Sequence, residues 1–211
     1  MKILISVALM FCPLFMKGQS NFFTFLNGEN FFRTESKEAS IHMTMNDDIQ
    51  CLSITIRYKD IHYLEETHSE IHLTLPYSNI DNFKSEIKLI ERKFKEWENV
   101  AKTNDVKDFK KEMPVSISIS NFRRMNCDHL AEPSHKEIKT IFDANYGTPV
   151  CNIQITLSGY NVIQKCEMHL KDYEISKLYE EIDKTIEIHK KNINESKQKE
   201  IERKKTDDLF H

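Results

Sequence analysis

Three residues in one short stretch have the types and the spacing for metal chemistry. His68, Glu70 and His72 alternate with Ser69 and Ile71, so on a β-strand their side chains share one face. A glutamate flanked by an imidazole two residues away on either side of one strand face offers zinc-type ligands, and Glu66 or His62 could complete the shell. The same alternation of His and Glu is also what a solvent-facing strand looks like, and neither HExxH nor a pair of CxxC motifs occurs. His68, Glu70 and His72 therefore stand as candidate ligands, and no metal or cofactor is assigned.

Cys127-Asp128-His129 invites a nucleophile-and-base reading. Adjacent residues rarely form a catalytic pair, because nucleophile and base must meet side chain to side chain, and nothing here marks an oxyanion hole. The expectation is an ordinary loop. The remaining cysteines point to structure. Without Cys12, which lies in an apolar leader described below, four are left: Cys51, Cys127, Cys151 and Cys166. An even number in an exported chain suggests disulfides. Val150 to Leu157 and Tyr160 to Leu170 flank Ser158-Gly159, and a two-residue turn there sets Cys151 opposite Cys166, the favoured bond. Cys51 with Cys127 has no such support.

Phe22, Phe23, Phe25, Phe31 and Phe32 crowd the region around Asn27-Gly28, a strong short-range hairpin signal. A two-residue turn there places Phe23 opposite Phe32 and Thr24 opposite Phe31, so phenylalanines occupy both faces of one ribbon. A ribbon at a sheet edge buries only one face against its own core. These five residues are the candidate partner-binding positions.

The chain opens with Lys2 and an almost uninterrupted apolar run from Ile3 to Phe15, followed by Gly18 and Ser20. A basic start, a short apolar run and small residues read as a signal peptide over residues 1–20, which implies a periplasmic or extracellular location. The run is too short to span a bilayer comfortably. Leaving out Lys2 and Lys17, the 30 basic residues fall to 28 against 33 acidic ones. The two signs are interleaved, so no strip forms that could track a phosphate backbone, and no nucleic-acid partner is expected. With four glycines in the chain, neither GxGxxG nor GxxxxGK[ST] occurs.

The elements that must hold these residues are led by a helix. Ile80, Phe83, Ile87, Ile90, Phe94, Trp97 and Ala101 step by three and four, a single apolar stripe along an amphipathic α-helix. Ile175, Leu178, Ile182, Ile186 and Ile193 mark a second long helix that Asp172 could cap. Alternating strands precede each one. Ile41, Met43 and Met45 alternate before Asp47-Asp48, and Leu52, Ile54, Ile56 and Tyr58 after it; a two-residue turn pairs Met43 with Leu52. Ile71, Leu73 and Leu75 continue the pattern until Pro76 stops it. The pattern further predicts a charged connector over 104–113, a strand with Val115, Ile117 and Ile119 inward, a loop over 121–134 and a short helix from Lys136 to Phe142.

Both halves run from strands through EIHL (Glu70–Leu73) or EMHL (Glu167–Leu170) into a long helix. The expectation is an α+β fold with antiparallel sheet packed against two long amphipathic helices, over residues 21–190, with repeat halves at 40–102 and 114–190. Residues 191–211 read as a charged extension. With a leader and no catalytic constellation, the chain is expected to be an exported, non-enzymatic binding protein of inhibitor or accessory type with a protein partner. The alternatives are a secreted hydrolase or metal-dependent enzyme with dispersed residues, and a structural envelope component.

Overall fold

The computed structural model describes residues 21–26, 38–60, 67–127, 130, 133–145, 148–159 and 162–209. The fold is α+β. A first antiparallel sheet is built from β1 (Asn21–Leu26), β2 (Glu38–Asn46), β3 (Cys51–Asp60), β4 (Thr67–Pro76) and β6 (Arg124–Cys127), in that order. A second holds β5 (Lys110–Glu112), β7 (His135–Asp143), β8 (Val150–Gly159) and β9 (Val162–Leu170), again in chain order. Helix α1 (Ile80–Thr103) follows β4, and α2 (Asp172–Asp207) follows β9. Among the described residues no helix is long and apolar enough to cross a membrane.

Alternation puts an apolar row on one face of each sheet. Ile41, Ile56, Ile71 and Cys127 line up across the first sheet, beside Met43, Ile54, Leu73 and Met125, and all are buried. Ile138, Ile155 and Cys166 do the same across the second, beside Thr140, Ile153 and Met168. The stripe of α1 is buried at Ile80, Phe83, Ile87, Ile90, Phe94 and Ala101. Trp97 is half-buried, edge-on to Phe142 at 5.6 Å, and Phe94 lies 5.6 Å from the same ring. Helix α1 therefore approaches β7 of the second sheet, while α2 approaches β1 and β2 of the first as well as β9. The helices run antiparallel, since Lys84 meets Asp183, Glu91 meets Ser176 and Lys95 meets Asp172. Both sheets and both helices share one core.

Several expectations need correction. The β2–β3 turn has four residues, Asp47 to Gln50, so Met43 faces Ile54 and Met45 faces Leu52. Asn46 holds that turn, its Oδ1 accepting from the Asp48 and Ile49 N–H groups at 3.1 and 3.4 Å, and Gln50 takes a left-handed φ of 49°. The β8–β9 ladder runs on through Ser158 and Gly159, which pair with Ile163 and Val162. Cys151 consequently faces Leu170 and Cys166 faces Ile155. Four positions along a strand, roughly 13 Å, exceed the reach of a disulfide, and Cys51, Cys127, Cys151 and Cys166 are all buried thiols. Gly159 serves close packing instead of a turn: a Cβ there would stand 2.8 Å from Leu130 Cδ2.

Lys136 to Phe142 is strand β7 rather than a helix, because β8 needs a neighbour on that side and Ile138, Thr140 and Phe142 supply the alternating inward row. Val115 to Ile119 joins no ladder. Pro114 lacks an N–H, the Met113 N–H donates to the Thr140 carbonyl at 2.8 Å, and the chain ends in a 3-10 turn at Ile119–Asn121. The connector and the loop instead contain β5 and β6, edge strands of three and four residues, too short to display a period. The residue before α2 is Lys171, not Asp172, and Glu174 accepts from its N–H at 2.8 Å. Strand β1 pairs with β2, placing Phe23 opposite Ile41, not Phe32. The leader, the Asn27-Gly28 turn, Phe31, Phe32, His62 and Glu66 lie outside the described residues.

Candidate functional site

The helices cover the apolar faces, so the side chains of β2, β3, β4 and β6 that alternate with the core residues form the outward face of the first sheet. Its register aligns His42, Thr55, His72 and Asn126 in one row and Thr44, Ser53, Thr74 and Arg124 in the next, with Arg57 opposite Glu70. All ten of these side chains are half-buried or exposed.

Glu70 and His72 fall together on this face. His72 Nε2 lies 3.6 Å from Glu70 Oε2, and His72 Nδ1 lies 3.2 Å from Thr55 Oγ1. The Arg57 guanidinium engages the other oxygen of Glu70. His68 occupies the same parity on β4, opposite Lys59. Glu70 is thus paired with an arginine, and His72 makes a hydrogen bond at Nδ1, with Thr55 Oγ1, while its Nε2 stands near Glu70 beyond hydrogen-bond distance. Among the described residues no three His, Cys, Asp or Glu side chains assemble into a metal-binding group. Cys127 is buried on the inward face opposite Ile71, so its thiol and the His72 ring project from opposite sides of the β4–β6 pair. They do not converge on a reacting centre. Asp128 and His129 lie outside the described residues.

A second Glu-x-His pair occupies the same place in the second sheet. Adding 97 to the paired positions Arg57–Glu70 and Thr55–His72 gives Gln154–Glu167 and Asn152–His169, which are the observed pairs of the β8–β9 ladder. His169 Nε2 again lies 3.6 Å from a glutamate oxygen, Glu167 Oε2. The environments differ. The His72 side chain is 38% exposed and that of His169 6%. Glu167 takes Lys165 at 2.7 Å, Gln154 at 3.0 Å and Asn152 at 3.4 Å. Burial alone would push its carboxyl up, but Lys165, Asn152 and the field of His169 hold it below the ordinary glutamate value. The copy around His169 is buried within the protein, and the copy around His72 is open to solvent.

A further cluster joins residues far apart in the chain. Asp47 accepts from Tyr77 Oη at 3.0 Å and meets His189 Nε2 at 2.9 Å, tying the β2–β3 turn and the approach to α1 onto α2. The hydrogen bond from His189 is the main cause holding Asp47 below the ordinary aspartate value, while burial and Asp47 push the Tyr77 hydroxyl up. No local pattern signals this cluster, because its members are 30 and 142 positions apart.

Of the aromatic candidates, Phe22, Phe23 and Phe25 lie on β1, the edge strand that flanks this sheet and runs beside β9. Among protein-family models, curated proteins and solved structures alike, the chain has no match.

Proposed function

We propose that the chain is an exported, non-enzymatic binding protein that engages a protein partner through the outward face of its first sheet, beside the aromatic strand β1. The observation that carries this reading is the pair of cross-strand rows running from His42 to Asn126 and from Thr44 to Arg124, half-exposed hydrogen-bonding side chains on the face away from both helices. A polar face spread over four strands suits a protein surface better than a small substrate, which calls for a concave, mostly apolar pocket. The separation of Cys127 from His72 across β4–β6, and the commitment of Glu70 to Arg57, speak against the hydrolase and metal-enzyme alternatives.

A photo-crosslinking residue placed at Thr44 or Thr74 in the native host should trap one discrete species, and the same residue at Lys199 on the far part of α2 should not. Equal trapping from Lys199, or none from the sheet, would remove the partner surface. Export is tested separately: N-terminal sequencing in the native host should begin at Gln19 or Asn21, and an intact Met1 on protein in the cytoplasm would end that part of the reading.

A further inference from the structure

A cleft of about 430 Å³ opens where the β2–β3 turn, the segment entering α1 and the segment before β6 meet. Its size falls in the range of small-ligand pockets, roughly 300–1,000 Å³. The walls are cross-tied. The Tyr77 N–H donates to the Gln50 carbonyl at 3.0 Å, the Arg123 N–H to the Thr74 carbonyl at 2.8 Å, and Asn79 Nδ2 to the Asn121 carbonyl at 2.9 Å. A ligand entering such a cleft does not have to order it, which removes part of the usual cost of binding.

Most polar groups of the walls are already committed to one another. Ser78 Oγ donates to Asn79, Ser120 Oγ shares a hydrogen bond with Ser118 Oγ, and Tyr77 Oη donates to Asp47. Two lining side chains, the Gln50 amide and the Arg123 guanidinium, have no hydrogen-bond or ion-pair partner among the described residues. Among the described residues Arg123 is also the one formally charged residue lining the cleft, and no carboxylate side chain among them lines it, in a chain whose formal net charge is −3. Ile49, Pro76 and Phe122 supply the apolar wall. A guanidinium fork matches the two oxygens of a carboxylate, and a single monovalent cation balances a monoanion, whereas a phosphate dianion would be left with excess charge.

We propose that this cleft binds a small monocarboxylate carrying a short apolar body, its carboxylate on Arg123, its body on Phe122 and Pro76, and an adjacent polar group on Gln50. The site is separate from the outward face of the first sheet, so either reading can fail alone.

The test is titration of the isotopically labelled full chain with N-acetyl-leucine and with hexanoate, followed by amide chemical shifts and calorimetry. N-acetyl-leucinamide serves as the uncharged twin. At least one acid should bind saturably with shifts centred on Gln50, Phe122 and Arg123, and the amide should bind about threefold more weakly, the loss expected for one solvent-exposed charge pair. Arg123→Gln should lose about the same factor with an unchanged melting curve, and Arg123→Lys should recover only part of it. Equal affinity for acid and amide, unchanged affinity in a folded Arg123→Gln protein, shifts located elsewhere, or no saturation by either acid at about 10 mM would each overturn the proposal.

Discussion

His189 and Asp47, 142 positions apart, meet at 2.9 Å between Nε2 and Oδ2, where α2 passes the β2–β3 turn. Because His189 holds the Asp47 carboxyl below its ordinary value, the folded state binds the proton less readily than the unfolded chain. The contribution to stability is present above the unfolded aspartate value of about 3.9 and is lost as pH falls through the lower folded value. Urea midpoints measured from neutral pH down through this window should fall less steeply for Asp47→Asn than for the parent protein. Parallel pH profiles would show that the contact contributes nothing to the acid limb.

Phe94 is fully buried against Phe142, which also carries the edge of Trp97. Phe94→Ala should cost about 3–5 kcal/mol in chemical denaturation, the range for a large aromatic truncated in a core. It should also shift Trp97 emission, because the indole loses the packing that holds Phe142 in place. A midpoint and emission matching the parent protein would mean that the α1 stripe does not hold the two layers together.

Gly159 and Leu130 test why Ser158 and Gly159 stay within the β8–β9 ladder. A Cβ on Gly159 would meet the movable end of the Leu130 side chain at 2.8 Å, so Gly159→Ala should cost about 1 kcal/mol, the lower end of the overpacking range. In a double-mutant cycle, Leu130→Ala should absorb much of the Gly159→Ala penalty, giving a coupling of about 1 kcal/mol. Strictly additive losses would locate the requirement for glycine in the backbone.

Cys51, Cys127, Cys151 and Cys166 should appear as thiols. Burial pushes the Cys151 thiol far up, so little reactive thiolate forms near neutral pH. Iodoacetamide should leave the folded protein almost unmodified and alkylate all four positions in urea without a reductant. Mass mapping that joins the peptides of Cys151 and Cys166 would contradict the register in which Cys151 faces Leu170.

The residues that face inward can be read from local periodicity alone. Helix α1 was legible because its period of three and four runs unbroken over six intervals, and almost every residue of that stripe is buried. In the strands, Ile41, Met43, Ile54, Ile56 and Ile71 were legible as one apolar face, as were Cys151, Ile153, Ile155, Cys166 and Met168. Strand faces have a period of two, so any even shift of register leaves them intact. The observed β2–β3 register lies two positions, and the β8–β9 register four, from that of two-residue turns.

The register itself emerges in the folded chain. The β2–β3 turn is closed locally by Asn46 but is two residues longer than Asp47-Asp48, and Gly159 in the β8–β9 ladder packs against Leu130, far away in the chain. The same holds for β7, whose strand state comes from lying beside β8, and for β5 and β6, which exist as edge strands only because β7 and β4 offer them a ladder. The sites divide along the same line. Glu70 and His72 were visible as neighbours because they are two residues apart on one strand. Arg57, Thr55, the Asp47–Tyr77–His189 cluster and the Gln50–Arg123 cleft are assembled across strands and layers, where separation in sequence carries no information about separation in space.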